Sequence, residues 1–483
     1  MSEEIDYKKL KFKAGLEIHQ QLDTGKLFCR CPSVLRTDEP DFVVERKLHA
    51  VPGESGEVDV AALYQASLKK KFFYQGYNDT TCLIELDEEP PKEINPAALE
   101  TAIQIALHLN CKIQPTVQIM RKTVIDGSNT SGFQRTVLIA RDGFLETSQG
   151  KVEISYIYLE EDAARIIERE KDHETYRLDR LGIPLVEVVT APDLKSPEHA
   201  KETALKIGEI LRSCKVRRGI GTIRQDLNLS IENGKRIEIK GMQDMKIFEK
   251  AAENEVLRQK KLIASGKEVE NEVRNVLPDA NTEYMRPLPG SSRMYPETDL
   301  PLLKISRQMI NDTKKTLPKL TADISEELKQ QGLSQEFIKI LLKEDRLEEY
   351  KELYSIVSQA DLIVKTLIVW PKEIAKHNNI QKSEIKLLLN KDTIAEIFES
   401  YKKEKIQENQ IQEVLKRIAS GIPFKESLKF ESLDTNETEE QIRKIIKSKP
   451  GLSQNAYMGL VMKEFKGKID GKTAMELIGK VLN

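Results

Sequence analysis

Glu17 and His19 stand two residues apart in Ala14-Gly-Leu-Glu-Ile-His-Gln-Gln-Leu22. In a strand, side chains alternate, so Leu16 and Ile18 share one face and Glu17 and His19 the other. A carboxylate beside an imidazole is half of a metal site, or else part of a solvated polar face. Arg224-Gln-Asp226-Leu-Asn228-Leu-Ser230 repeats the pattern. Leu227 and Leu229 point to a core, while Arg224, Asp226, Asn228 and Ser230 share the other face. An Arg, an Asp and an Asn on one surface suit a phosphate and its Mg²⁺, which binds carboxylates, waters and substrate phosphates. A solvated face remains the alternative.

Glu160, Glu161 and Asp162 close a further strand-like run. Adjacent carboxylates repel, and a metal or the N-terminus of a helix starting there would offset the cost. Arg177, Asp179, Arg180 and Glu187 follow in the stretch from Tyr176. Val124 to Arg135 is a small-polar, glycine-containing loop. It can present N–H groups to an anion, or be an ordinary turn. Cys29-x-Cys31 finds no second pair in the sequence, so no four-ligand zinc site is expected. There is no G-x-x-x-x-G-K-[ST], so any ATP site is not a P-loop.

The elements that must hold these residues change character near residue 300. Before it, Lys13–Leu22, Val152–Leu159, Gly182–Thr190, Thr222–Ile231 and Arg236–Lys240 alternate as strands. Helices are expected from Pro96, capped by Asn95, from Ser196-Pro197, and over Asp244–Ala264 with a stop at Gly266. After residue 300 the periodicity is helical. Ser334 caps one segment, and others cover about Ser383–Leu389, Asp392–Tyr401, Glu408–Ala419, Thr438–Ile446, Leu452–Phe465 and Lys472–Leu482, with a turn at Gly467–Gly471. The expected fold class is α+β: a mainly antiparallel sheet with flanking helices, then all-α domains. Boundaries near residues 305 and 405 give three domains, 1–305, 306–405 and 406–483.

The chain has 483 residues, 39% hydrophobic and 32% charged, with net charge −2. Whole-molecule charge therefore points to no polyanion, and any such contact must be local. Residues 441–483 hold nine Lys and Arg residues, among them Arg443, Lys444 and Lys480, but only Glu464, Asp470 and Glu476 as acids. That is an RNA-backbone patch or a lysine-rich surface. The apolar stretch Asp361–Trp370 is too short to span a bilayer and reads as a buried element. Five scattered cysteines suit a reducing compartment, so the cytoplasm is expected.

Gly15-Leu-Glu-Ile-His19, Leu159-Glu-Glu-Asp-Ala163, Leu178 to Glu187 and Ile223-Arg-Gln-Asp-Leu-Asn228 together resemble the B/E family of tRNA-dependent amidotransferase subunits. Asp126 to Thr136, Asp87-Glu-Glu-Pro-Pro91, Asn281 to Tyr295 and Glu297-Thr-Asp-Leu-Pro301 favour the archaeal E type over the bacterial B type. The resemblance covers nearly the whole chain. It departs at one place, because the archaeal E type carries an inserted domain similar to one in bacterial aspartyl-tRNA synthetases. Here only about Gly266 to Asn281 separates the flanking motifs.

The resemblance implies a cradle-shaped catalytic domain, a helical domain and a tail that grips tRNA. It implies ATP and Mg²⁺, Glu-tRNA(Gln) as substrate, and an asparaginase-like D-type partner that releases ammonia from glutamine or asparagine. The glutamyl γ-carboxylate would be phosphorylated and then amidated. With the residue patterns, it makes Glu17, His19, Glu160, Glu161 and Asp226 the metal candidates. Glu187 joins Glu17, His19, Glu161 and Asp226 as catalytic. Lys122, Ser128, Arg135, Arg224 and Asn228 are the nucleotide-binding candidates. A B-type chain with an amidase partner, or a non-catalytic tRNA-binding relic, are the competing readings.

Overall fold

The computed structural model describes residues 5–53, 56–288, 293–344, 346–430, 435–465 and 471–482. It contains two compact units, Met1–Thr321 and Ala322–Asn483.

The first unit is built on an eleven-stranded sheet. In chain order the strands are β1 (Lys13–Gln21), β2 (Lys112–Ile113), β3 (Met120–Thr123), β4 (Phe133–Thr147), β5 (Gly150–Glu161), β6 (Pro184–Thr190), β7 (Ile223–Ser230), β8 (Ile237–Lys240), β9 (Glu272–Val276), β10 (Thr282–Pro287) and β11 (Met294–Pro296). Their order across the sheet is β10-β9-β8-β7-β1-β6-β5-β4-β3-β11, with β2 paired to β4. All pairs are antiparallel except β8 with β9. A four-stranded sheet of Phe42–Arg46, Lys71–Gly76, His173–Arg177 and Arg165–Arg169 lies beside it.

Helices cover one face of the large sheet. They are α2 (Pro96–His108), α3 (Pro197–Ser213) and α4 (Phe248–Ala264), while α1 (Val60–Ser67) contacts the edge strand β10. Asn95 accepts from the amides of Ala97 and Ala98, and Ser196 from that of His199, so both expected caps form. Helix α4 starts four residues later than expected, because Asp244 bonds the amide of Lys246 and holds a turn. Leu16, Ile18, Val186, Val188, Leu227 and Leu229 bury against these helices with Ile103, Ile207 and Val256. Each such side chain contributes roughly 1.5–3 kcal/mol by leaving water. The alternating residues, Glu17, His19, Glu187 and Asp226, must then face the other way. Helix Arg307–Lys315 also belongs to this unit and contacts α2.

The second unit is helical. Ser334 caps Gln335–Lys343 as expected. The apolar Asp361–Trp370 stretch is helical, with a π-helical turn at Lys365–Val369 just before Pro371. A proline removes one ladder hydrogen bond, which the wider turn accommodates. One core runs from Leu328 to Ala419, and a separate one joins Ile442, Tyr457, Val461 and Ile478. The turn expected at Gly467–Gly471 lies outside the described residues up to 470, and Gly471 opens the last helix. Arg443 and Lys480 both pair with Glu439, at 3.2 and 2.7 Å, which lowers the net charge of the basic tail. No described helix is long and apolar enough to cross a membrane.

Candidate active site

Strand register assembles the polar face. On β1, Glu17 lies opposite Asp226 of β7, and His19 opposite Glu187 of β6. Asn228 of β7 lies opposite Glu238 of β8. Directly opposed residues point to the same face of a sheet. The result is a cavity of about 470 Å³ whose lining comes from β1, β3, β4, β5, β6, β7, β8 and β10.

Two acid sets occupy its floor. His19, Glu160 and Glu187 form the first, and Glu17, Asp226 and Glu238 the second; within each, one ligand atom per residue lies within 4.8 Å of the others. His19 Nε2 is 3.5 Å from Glu187 Oε1. Lys122 Nζ donates to Glu160 Oε1 at 2.6 Å. Lys240 Nζ bridges Asp226 and Glu238 at 2.7 and 2.6 Å. Asn228 donates to Glu17 at 2.9 Å and accepts from Arg236, which itself lies 3.6 Å from Glu17. Arg224 donates to Asp162 at 2.9 Å.

Burial sets the protonation pattern. It pushes the His19 imidazolium down to about 4, so the ring is neutral near pH 7 and has a lone pair to offer a metal. Burial, then the Glu160 charge, pushes the Glu187 carboxyl well up. Burial also pushes Glu160 up, but the Lys122 ammonium outweighs it and leaves that carboxyl below its ordinary value. Glu17 is raised by burial and then by Glu238. Closely spaced carboxylates of this kind would be relieved by a divalent cation. The first set offers one imidazole and two carboxylates; the second offers oxygen only, the donor type Mg²⁺ prefers. The donor chemistry fits a magnesium ion.

The structure brings Glu17, His19, Glu160, Glu187, Asp226, Lys122 and Arg224 to one cavity, with Asn228 on its border through Glu17. It does not bring Glu161, Arg135 or Ser128 there. Glu161 follows Glu160 on β5 and so faces the other way, where Arg135 Nη1 donates to it at 3.3 Å. Arg135 is buried and also donates to Glu297 at 2.9 Å. Ser128 turns back into its own loop, its amide and hydroxyl both donating to Asp126. No helix begins after the acidic run. Asp162 instead accepts from Gln21 and Arg224, and the chain continues into strand Arg165–Arg169. Glu238, Lys240, Arg286 and Arg293 are lining residues that the sequence reasoning passed over. For Glu238 and Lys240 the signal was present, since Ile237 and Ile239 alternate with them.

A separate set supplies neighbours for the cysteines that the sequence spacing did not show. Cys29, Cys31, Cys82 and Glu85 place their ligand atoms within 4.8 Å of one another. The second pair is Cys82-x-x-Glu85, too distant in sequence to be matched by spacing. Three sulfurs and one carboxylate oxygen are a donor set suited to zinc. Buried Lys26 lies 3.1 Å from Glu85 and is its internal counter-ion.

Residues 12–311, which include every residue of the two acid sets, match the GatB/GatE catalytic domain. The chain is 37% identical to the E subunit of glutamyl-tRNA(Gln) amidotransferase from Methanocaldococcus jannaschii, over 99% of both chains. It is 34% identical to the E subunit from Methanosarcina barkeri, over 100% of this chain and 99% of that one. The chain belongs to the GatB/GatE family. An E subunit from Methanococcus maripaludis is 50% identical over 303 residues, 62% of this chain. The full-length match to the M. jannaschii protein runs over 638 positions against 483 residues here, so family relatives carry well over a hundred positions without a counterpart. Between α4 and β10 this family member has only the short strand β9 and its connections.

Proposed function

We propose that this chain is the kinase and transamidase component that converts Glu-tRNA(Gln) to Gln-tRNA(Gln) with ATP. The γ-carboxylate oxygen of the glutamyl group attacks the γ-phosphorus of ATP. The bond to the β-phosphate oxygen breaks, releasing ADP and leaving a γ-glutamyl phosphate. Ammonia then attacks the acyl carbon and phosphate departs. The ammonia comes from an asparaginase-like partner protein acting on glutamine or asparagine.

The observation that carries this reading is the cavity with two acid sets interleaved with lysine and arginine. A carboxylate is a poor acyl donor because oxide leaves badly, and phosphorylation removes that obstacle. Mg²⁺, when bound, would neutralise phosphate charge in the transition state. His19, Glu160 and Glu187 would hold it through one imidazole and two carboxylates, and Glu17, Asp226 and Glu238, with oxygen donors alone and Lys240 beside them, offer a second place for it. The tail from 406 serves tRNA binding.

The test measures ADP formation with Mg²⁺, Glu-tRNA(Gln), the partner protein and glutamine. His19→Ala and Glu160→Gln should each lose at least about a hundredfold in rate while still binding tRNA. Glu161→Gln, which faces away from the cavity, should keep ADP formation. Absence of tRNA-dependent ADP formation in the wild type would leave a tRNA-binding scaffold instead.

A further inference from the structure

Arg286 lies on β10 and Arg293 just before β11, and these strands are the two opposite edges of the ten-strand path. Both nevertheless line the same cavity, and both line a crevice of about 60 Å³ beside it, with Asp126, Asp59 and Gln65. The sheet therefore curls until its edges approach. The acid sets sit on central strands and form the floor. The two arginines form the rim.

Their pairing differs from that of the other lysines and arginines that line the cavity. Lys122 is held by Glu160, Lys240 by Asp226 and Glu238, Arg224 by Asp162, and Arg236 by Glu17. Of the two acids that line the crevice with them, Asp126 takes the amide and hydroxyl of Ser128 and Asp59 takes the amide of Ala62. Among the described residues, no ion pair or side-chain hydrogen bond engages Arg286 or Arg293, and both are half-buried. Two half-buried guanidiniums sharing one opening repel each other, and an anion between them removes that cost. Guanidinium forks match phosphate oxygens in two parallel hydrogen bonds. An acidic floor turns bare phosphate away, so phosphate must enter with cations on the floor side and guanidinium charge on the other.

We infer that Arg286 and Arg293 are a two-arginine clamp for the phosphate chain of the nucleotide, binding it from the rim. This rests on the kinase reading of the cavity. The shared chemistry is phosphate oxygen, which ATP and the terminal phosphodiesters of tRNA both supply; the clamp is assigned to ATP because it faces acids able to hold the nucleotide's metal.

The experiment uses the full chain with its partner protein and the variants Arg286→Gln, Arg293→Gln, and the lysine at each position. ATP and AMP binding are measured by calorimetry with Mg²⁺, tRNA binding by filter retention, and ADP formation by steady-state kinetics. Each glutamine variant should weaken ATP binding and raise the KM for ATP by roughly 10- to 100-fold, as expected for losing a charged hydrogen-bonding partner. AMP binding, tRNA binding and the melting temperature should be unchanged, and lysine should restore part of the loss. ATP affinity within about twofold of wild type in both glutamine variants would overturn the clamp. So would a loss confined to tRNA affinity, which would reassign the arginines to the polynucleotide. If the wild type makes no ADP, the kinase reading fails, and the calorimetric comparison still decides whether the arginines bind a triphosphate.

Discussion

Glu297 has no exposed surface and carries two guanidiniums. Arg121 reaches both its oxygens, Nη2 to Oε1 at 2.6 Å and Nε to Oε2 at 2.9 Å. Arg135 Nε adds 2.9 Å to Oε2, and the amide of Asp299 adds 2.9 Å to Oε1. Glu297→Gln keeps the shape and removes the charge. Breaking a buried ion pair by removing one partner costs about 3–5 kcal/mol. Arg121 retains Asp299 at 3.2 Å, Arg135 retains Glu161 at 3.3 Å, and the amide oxygen still accepts. The expected loss therefore lies near the low end, about 3 kcal/mol. With an m value of about 3 kcal/mol/M for a unit of this size, the urea midpoint should fall by about 1 M. Burial pushes the Glu297 carboxyl up, but the Arg121 hydrogen bonds, the Asp299 amide and the Arg135 guanidinium together outweigh it and leave the group below its ordinary 4.5. A depressed carboxyl stabilises fully above that value and loses its contribution as pH falls through its folded value. The gap between wild type and variant should be complete at pH 7 and shrink on acidification below pH 4.5. A midpoint shift under about 0.3 M at pH 7, with m unchanged, would refute this account of the cluster.

Three further outcomes are expected. Burial pushes the Cys111 thiol up to about 12 and the Cys214 thiol up to about 11, so neither should react with iodoacetamide in the native protein at pH 8, while both should label in urea; native labelling within minutes would contradict their burial. Lys240→Met leaves Asp226 and Glu238 without their ammonium, so divalent-ion affinity by calorimetry should rise at least severalfold in the variant while thermal stability falls; unchanged affinity would show that these acids do not face an ion. Asn95→Ala removes the cap of α2 and should cost about 1 kcal/mol in denaturant titration, whereas Asn95→Asp should cost little.

Much of the floor was legible because alternation is local. Leu16 and Ile18 must bury, so Glu17 and His19 must share the other face, and Leu227 and Leu229 place Asp226 and Asn228 in the same way. Alternation also turns Glu161 toward Arg135, since one of two adjacent residues must point away from the cavity that the other lines. What stayed hidden depends on pairings between distant strands. Cys82 and Glu85 meet Cys29 only once the chain between has folded back, and Arg286 and Arg293, on edge segments of the sheet, join the cavity of the central strands only because the sheet curls. Helix α1 gave no signal either, because Val60, Leu63 and Tyr64 remain exposed and leave no buried stripe to be read.

The cavity's construction also bears on the residues that relatives have and this chain lacks. The family resemblance puts the additional domain between α4 and the segment containing Arg286. In this chain that interval holds β9, which pairs with β8 on one side and β10 on the other, and a tight turn closed by Leu277 and Asn281. The acid sets lie on β1, β5, β6, β7 and β8, all formed by residues before that interval. Register between neighbouring strands fixes them, Glu17 opposite Asp226, His19 opposite Glu187, Glu238 opposite Asn228 and Glu160 opposite Leu185. None of these contacts passes through β9 or β10. A domain inserted at the β9–β10 end could therefore be gained or lost without disturbing the floor. The element exposed to such a change is the rim, since β10 carries Arg286 and leads directly into the segment before Arg293. The floor is thus insulated from this length variation by its position in the sheet, while the rim is where the short and long forms of the family have room to differ.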